Sequence, residues 1–202
     1  MRAIVFDRPG DESALRLAEV ETPRPGPEEI SIRVRATAVN RADLMQRQGL
    51  YPPPPGASTV LGLECAGDVE EVGSAVEDWK RGDRAMALLA GGGYAEIATA
   101  HAGSAIPLPE SFTYEEAGAF PEVFLTAFLN VFQLGGVARG GSVLVHGGGS
   151  GVGTAAITLA NDAGVRIIVT AGTDEKCRRC IAAGYIITRI YLRGVRKSGG
   201  GE

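Results

Sequence analysis

Cysteine is scarce in this chain, at three in 202 residues. The odd count, at Cys65, Cys177 and Cys180, supplies no disulfide framework. The last two form a C-x-x-C, but it falls in a predicted helix with no second ligand pair. It therefore reads as two cysteines on one helical face, not as a metal or redox motif. Nor is charge of one sign in excess. A net charge of −4 argues against a dominant nucleic-acid or membrane-surface partner, and no basic aromatic patch supports RNA binding. No apolar run is long enough to span a bilayer, and residues 1–7 are too short for a secretory signal core. With 45% hydrophobic and 22% charged residues, the expectation is a soluble, cytoplasmic protein.

The informative stretch that is present runs Val143-Leu-Val-His-Gly-Gly-Gly-Ser-Gly-Val-Gly-Thr-Ala-Ala-Ile157. It reads as a buried strand, a glycine-rich turn and the start of a helix, the order that brings backbone N–H groups to a pyrophosphate. Gly148, Ser150 and Gly153 occupy the three positions of G-x-G-x-x-G, so serine replaces the middle glycine. Val152, Ala155, Ala156, Leu159, Ala160 and Ala163 follow helical spacing, Gly164 closes the helix, and residues 166–170 read as a second strand. Strand, helix and strand make a βαβ unit with a right-handed crossover.

The front of the chain is β-rich. Ile30, Ile32, Val34 and Ala36 alternate with Ser31, Arg33, Arg35 and Thr37, which predicts a strand with one apolar face. Residues 1–6, 61–72, 84–90 and 94–98 read as further strands, and 40–48 as a short helix stopped by Gly49. Short strands interrupted by glycine predict a small barrel-like domain. Thr113 and Glu116 have capping-box spacing, and Pro121 opens a helix to about Leu134. The division expected is a β-rich domain at 1–120, an α/β domain at 121–184 and a divergent tail at 185–202.

Several phrases occur together in order: Asn40-Arg-Ala-Asp-Leu-Met-Gln-Arg-Gln-Gly49 with Tyr51, Leu61-Gly-Leu-Glu-Cys-Ala-Gly67, Gly82-Asp83, Pro121-Glu-Val-Phe-Leu-Thr-Ala127 and the turn from His146 to Ile157. The set resembles the zinc-independent, zeta-crystallin-like quinone oxidoreductases of the medium-chain dehydrogenase/reductase superfamily. The resemblance implies a GroES-like, partly open β-barrel followed by a Rossmann domain, with substrate and nicotinamide in the cleft between them. It implies NADPH as hydride donor and quinones or related conjugated carbonyls as acceptors. Zinc-dependent relatives carry Gly-His-Glu where this chain has Gly62-Leu63-Glu64, so no catalytic zinc is expected.

The resemblance also assigns residues. Tyr51 and Asn40 match polar positions of the family's cleft. A phenol at Tyr51 donates to a carbonyl that gains negative charge, or the ring packs on the Pro52–Pro55 run. Asn40 lines the cleft or caps the helix after it, and Arg41 and Asp43 read as a local pair. Ser150 is placed near cofactor and acceptor, or serves as a small turn residue. Thr126 lies near the nicotinamide, or its hydroxyl bonds its own helix. His146 reads as structural, and Glu64 as a hydrogen-bonding residue. Gly148, Gly151, Val152 and Gly153 complete the phosphate turn. At the end of the second strand, Gly172, Thr173 and Lys176 suit a 2′-phosphate, against the opposing charge of Asp174 and Glu175, and the choice is NADPH.

After Gly184 the likeness stops, and the tail turns basic and glycine-rich. The expectation is an incomplete Rossmann domain, truncated or frame-disrupted, without the family's dimer surface and with thin cover over Val143, Leu144, Val145 and Ile167–Val169. A catalytically inactive cofactor- or partner-binding remnant, or an enoyl-thioester reductase of the same superfamily, are the alternatives.

Overall fold

The computed structural model describes residues 1–182, so the 185–202 tail lies outside the described residues. The chain divides into two units, Met1–Glu122 and Val123–Glu202.

The first unit opens with an antiparallel ribbon of β1 (Arg2–Val5) and β2 (Arg16–Glu19). The alternating segment forms β3 (Glu29–Ala36), whose Ile30 and Ile32 are fully buried. Ser31, on the opposite face of the pleat, is buried too, and its Oγ accepts the Glu71 N–H at 3.0 Å. The short helix is α1 (Arg41–Arg47). Then come β4 (Glu64–Val72), β5 (Arg84–Leu88), β6 (Ile97–His101) and β7 (Ala105–Pro107). The predicted 61–72 and 94–98 strands begin three residues later than expected. Residues 61–63 and 92–94 instead bond as a loop pair, through Gly93 N–H to Gly62 O and Tyr94 N–H to Leu61 O.

The five strands β3–β7 form one antiparallel sheet in the order β6-β3-β4-β5-β7. Register shifts at Ser31/Ile32 and Val34/Ala36 mark bulges, which bend and twist a strand and curl the sheet into a half-barrel. Its interior holds Ile30, Ile32, Cys65, Val69, Ala87 and Leu89. A second cluster of Ala66, Met86, Leu108 and Ala117 sits under α2 (Tyr114–Ala117). The α2 cap is reciprocal, as its spacing predicts: Thr113 Oγ1 accepts the Glu116 N–H and Glu116 Oε2 accepts the Thr113 N–H.

Helix α3 (Pro121–Phe128) is regular for two turns and then continues as a π-helix over Leu129–Leu134. In the second unit β8 (Ser142–His146), α4 (Gly151–Asp162), β9 (Arg166–Thr170) and α5 (Asp174–Ala182) follow. β8 and β9 pair in parallel, Ser142 opposite Arg166 through His146 opposite Thr170, so the β8–α4–β9 segment is a βαβ unit. Ala155, Ala156, Ile157 and Ala160 of α4 pack with Ile167 and Val169. Ile167 and Val169 are thus buried, while Leu144 is 49% exposed and Val143 and Val145 are half-buried.

Candidate functional site

Two sets of polar groups stand out, one in each unit. In the second unit, the turn from β8 to α4 is closed by its own hydrogen bonds. Gly147 O accepts both the Ser150 N–H at 2.8 Å and Ser150 Oγ at 2.7 Å, and Ser150 Oγ accepts the Gly153 N–H at 3.1 Å. Ser150 is therefore the N-cap of α4, and its hydroxyl is committed to the turn. Two glycines are required by contact alone. A Cβ on Gly148 meets the Val169 Cβ at 2.6 Å, and one on Gly153 meets Gly147 O at 2.3 Å. The chain has drawn strand, turn and helix together as tightly as a backbone without side chains allows.

What the turn leaves over are donors. Gly148 N–H bonds Thr170 O at 2.8 Å, but the N–H groups of Gly149, Gly151 and Val152 find no acceptor among the described residues. Gly151 and Val152 are the first two residues of α4, where unpaired N–H groups and the helix dipole favour an anion. Beside this turn lies a cavity of about 310 Å3 lined by Gly149, Thr154, Thr158, Lys176, Arg179 and Cys180. The Lys176 side chain runs against Gly149, 3.4 Å from where a Cβ would stand. Thr173 Oγ1 accepts the Lys176 N–H at 3.2 Å at the start of α5, whereas Gly172 faces open space. Arg179 was not singled out in the sequence; its position one helical turn beyond Lys176 is the signal for it. His146 Nδ1 lies 3.1 Å from Thr170 Oγ1, tying the two strand ends. Thr126 is half-buried in α3, where its carbonyl accepts Asn130 Nδ2 at 2.8 Å.

In the first unit a buried polar network surrounds Glu64, which is 1% exposed. Glu64 Oε1 accepts Asn40 Nδ2 at 2.7 Å, and Oε2 accepts the Glu122 N–H at 3.0 Å, in the first turn of α3. Asp43, 2% exposed, accepts the Asn40 N–H at 2.7 Å and the Tyr94 hydroxyl at 2.9 Å through Oδ2. The expected pair with Arg41 does not form among the described residues; the Asn40 backbone and the Tyr94 hydroxyl hold Asp43 instead. Asp43 Oδ1 is buried without a protein partner among the described residues. Burial is the main cause that pushes the Glu64 carboxyl above its ordinary value. The Asn40 and Glu122 donors oppose it and Asp43 adds to it. Glu122 is raised by burial and then by Glu64 and Asp43, and Tyr94 by burial and then by Asp43.

Asn40 precedes α1 and Tyr51 follows it, so a helix of seven residues, about 10 Å long, separates the two. Asn40 is half-buried and Tyr51 is 47% exposed. Leu63, in the Gly-Leu-Glu phrase, is buried. No group of three or more His, Cys, Asp or Glu able to hold a metal occurs among the described residues. No described helix is long and apolar enough to cross a membrane.

Comparison with known proteins places these units. Residues 26–110 match the alcohol dehydrogenase GroES-like domain. The synaptic vesicle membrane protein VAT-1 homolog-like of Mus musculus is 38% identical over 174 residues, 86% of this chain and 42% of that protein. The quinone oxidoreductase of Escherichia coli, solved in complex with NADPH, superimposes with a TM-score of 0.82 at 31% identity, covering 93% of this chain and 58% of that one. The CurK enoyl reductase superimposes with a TM-score of 0.85 at 28% identity, covering 96% of this chain and 60% of that one. The chain thus spans less than half the length of the mouse relative and about three fifths of these solved neighbours. With a GroES-like domain on a curled sheet, a parallel βαβ unit after it in sequence and oxidoreductase neighbours along nearly its whole length, the chain falls within the medium-chain dehydrogenase/reductase superfamily.

Proposed function

We propose that the chain belongs to an NADPH-dependent, zinc-independent oxidoreductase that reduces quinones or related conjugated carbonyls. The observation that carries this reading is the turn between β8 and α4. Gly148 and Gly153 admit no side chain, and the N–H groups of Gly149, Gly151 and Val152, the last two at a helix start, have no acceptor among the described residues. That arrangement fits a diphosphate, held by Gly149, Gly151 and Val152. Lys176 and Arg179, beside the same turn, suit the further negative charge of a 2′-phosphate. NADPH, when bound, supplies the hydride. On the acceptor side, the Tyr51 phenol and the Asn40 amide are the O–H and N–H donors for a carbonyl oxygen that gains negative charge. Asn40 and Leu63 are poor partners for zinc, and quinones are electrophilic enough to need no Lewis acid. The three cysteines are free and buried, the state a reducing compartment keeps, which suits a cytoplasmic setting. The domains proposed are 1–120 for the acceptor side and 121–184 for the cofactor side.

The likeness to an enoyl reductase supports a second acceptor class, α,β-unsaturated thioesters. The test is NADPH oxidation by the purified chain with a quinone panel and an enoyl-thioester panel. Turnover with quinones above the free-solution background supports the reading, and turnover with thioesters alone replaces the acceptor. NADPH binding without turnover on either panel leaves a cofactor-binding remnant.

A further inference from the structure

The proposed reaction makes no direct use of Glu64, yet the first unit is built around it. Each carboxylate oxygen takes a donor from a different element: Asn40 Nδ2 before α1 and the Glu122 N–H in α3. Its backbone is held as well, since Glu64 O accepts Thr37 Oγ1 at 2.7 Å. An ionised carboxylate only accepts hydrogen bonds. It therefore selects the nitrogen end of the Asn40 amide and rejects the oxygen end. The Asn40 backbone is fixed in turn by Asp43 Oδ2. Rotating the amide would leave a buried oxygen of Glu64 without its donor. The amide nitrogen carries two hydrogens, and Glu64 takes one of them.

We propose that Glu64 is the positioning residue of the acceptor site: it commits the Asn40 amide to one orientation, so that Asn40 offers its second Nδ2 hydrogen to the carbonyl being reduced. This rests on the reductase reading, and the experiment separates the two. Three variants of the full chain are compared. Glu64→Gln keeps the shape but places an NH2 where an acceptor stood. Glu64→Gln with Asn40→Asp reverses the pair: the new glutamine accepts the Glu122 N–H and donates to the new aspartate, so every buried bond returns but position 40 no longer donates. Tyr94→Phe removes the Asp43 bond of 2.9 Å and leaves the Asn40–Glu64 bond alone.

The chain has three asparagines, Asn40, Asn130 and Asn161, so 15N-asparagine labelling resolves the Asn40 side-chain amide without cofactor. The expected result is that Glu64→Gln shifts that resonance and lowers kcat on the order of 100-fold at unchanged KM and unchanged NADPH affinity. The reversed pair recovers thermal stability but not kcat, and Tyr94→Phe loses stability but keeps both the resonance and kcat. The proposal is overturned by an Asn40 resonance that ignores Glu64→Gln, by a kcat that tracks stability across all three variants, or by recovery of kcat in the reversed pair. A wild-type chain that binds no NADPH counts against the reductase reading, while the resonance still decides whether Glu64 holds the amide.

Discussion

Gly153→Ala is the most direct test of the turn. In an ordinary helix position this change stabilises by about 1 kcal/mol, because alanine is the better helix former. Here the added methyl would stand 2.3 Å from Gly147 O and 2.7 Å from Gly148 Cα, so backbone must move. Overpacking of this kind costs about 1–3 kcal/mol. Displacing Gly147 O also weakens its bonds from Ser150 N–H and Ser150 Oγ, at about 1 kcal/mol each. Set against the helix gain, the net loss is about 2–4 kcal/mol. Circular dichroism on heating and urea titration would report it, and NADPH fluorescence would report weaker binding because the free N–H groups move with the turn. An alanine variant as stable as the parent chain, with the same NADPH affinity, would refute the claim that close approach at this turn builds the cradle.

Other outcomes can be checked alongside. Lys176→Ala should weaken NADPH binding by about tenfold, a charge-assisted contact discounted for its exposure, and leave NADH binding unchanged; equal losses for both cofactors would remove the 2′-phosphate role. The pH dependence of stability has a definite sign. Burial raises the Glu64 carboxyl above its unfolded value of 4.5, so the folded state holds more protons in that window. Stability is then greatest below the unfolded value and declines as pH rises through the folded one. Glu64→Gln should flatten that decline in part, since Glu122 is raised in the same direction, and parallel curves for variant and parent would contradict it.

How far the sequence discloses these sites depends on the distance over which each was built. The βαβ unit rests on local signals: a short β-branched, apolar run in β8, helical spacing in α4 and a glycine turn, each legible within a window of a dozen residues. Ile157, fully buried, lies off the predicted stripe and shares its cluster with Cys180 of α5 as well as with the sheet. The network around Glu64 was not legible. Its bonds join Asn40 to Glu64, Tyr94 to Asp43 and Glu122 to Glu64, across 24, 51 and 58 residues. No periodicity encodes such pairings, so Asp43 was matched with its neighbour Arg41 while its partner stood in a loop before β6. The role of Ser150 shows the same limit at short range. Spacing places it in the turn, but only the bonds to Gly147 and Gly153 show its hydroxyl committed there.

If the acceptor is a quinone, as proposed, the cysteines carry a consequence, because quinones are soft electrophiles. Quinones arylate thiolates, and Cys65 is fully buried with its thiol pushed up to about 12 by burial, then by Glu64. At neutral pH the thiol stays protonated and unreactive, so an electrophilic acceptor of the proposed kind would spare it. Cys177 and Cys180 are hidden as well, one turn apart in the other unit. Thiol capture can therefore serve as a clock for the opening of each half separately, with no label engineered in.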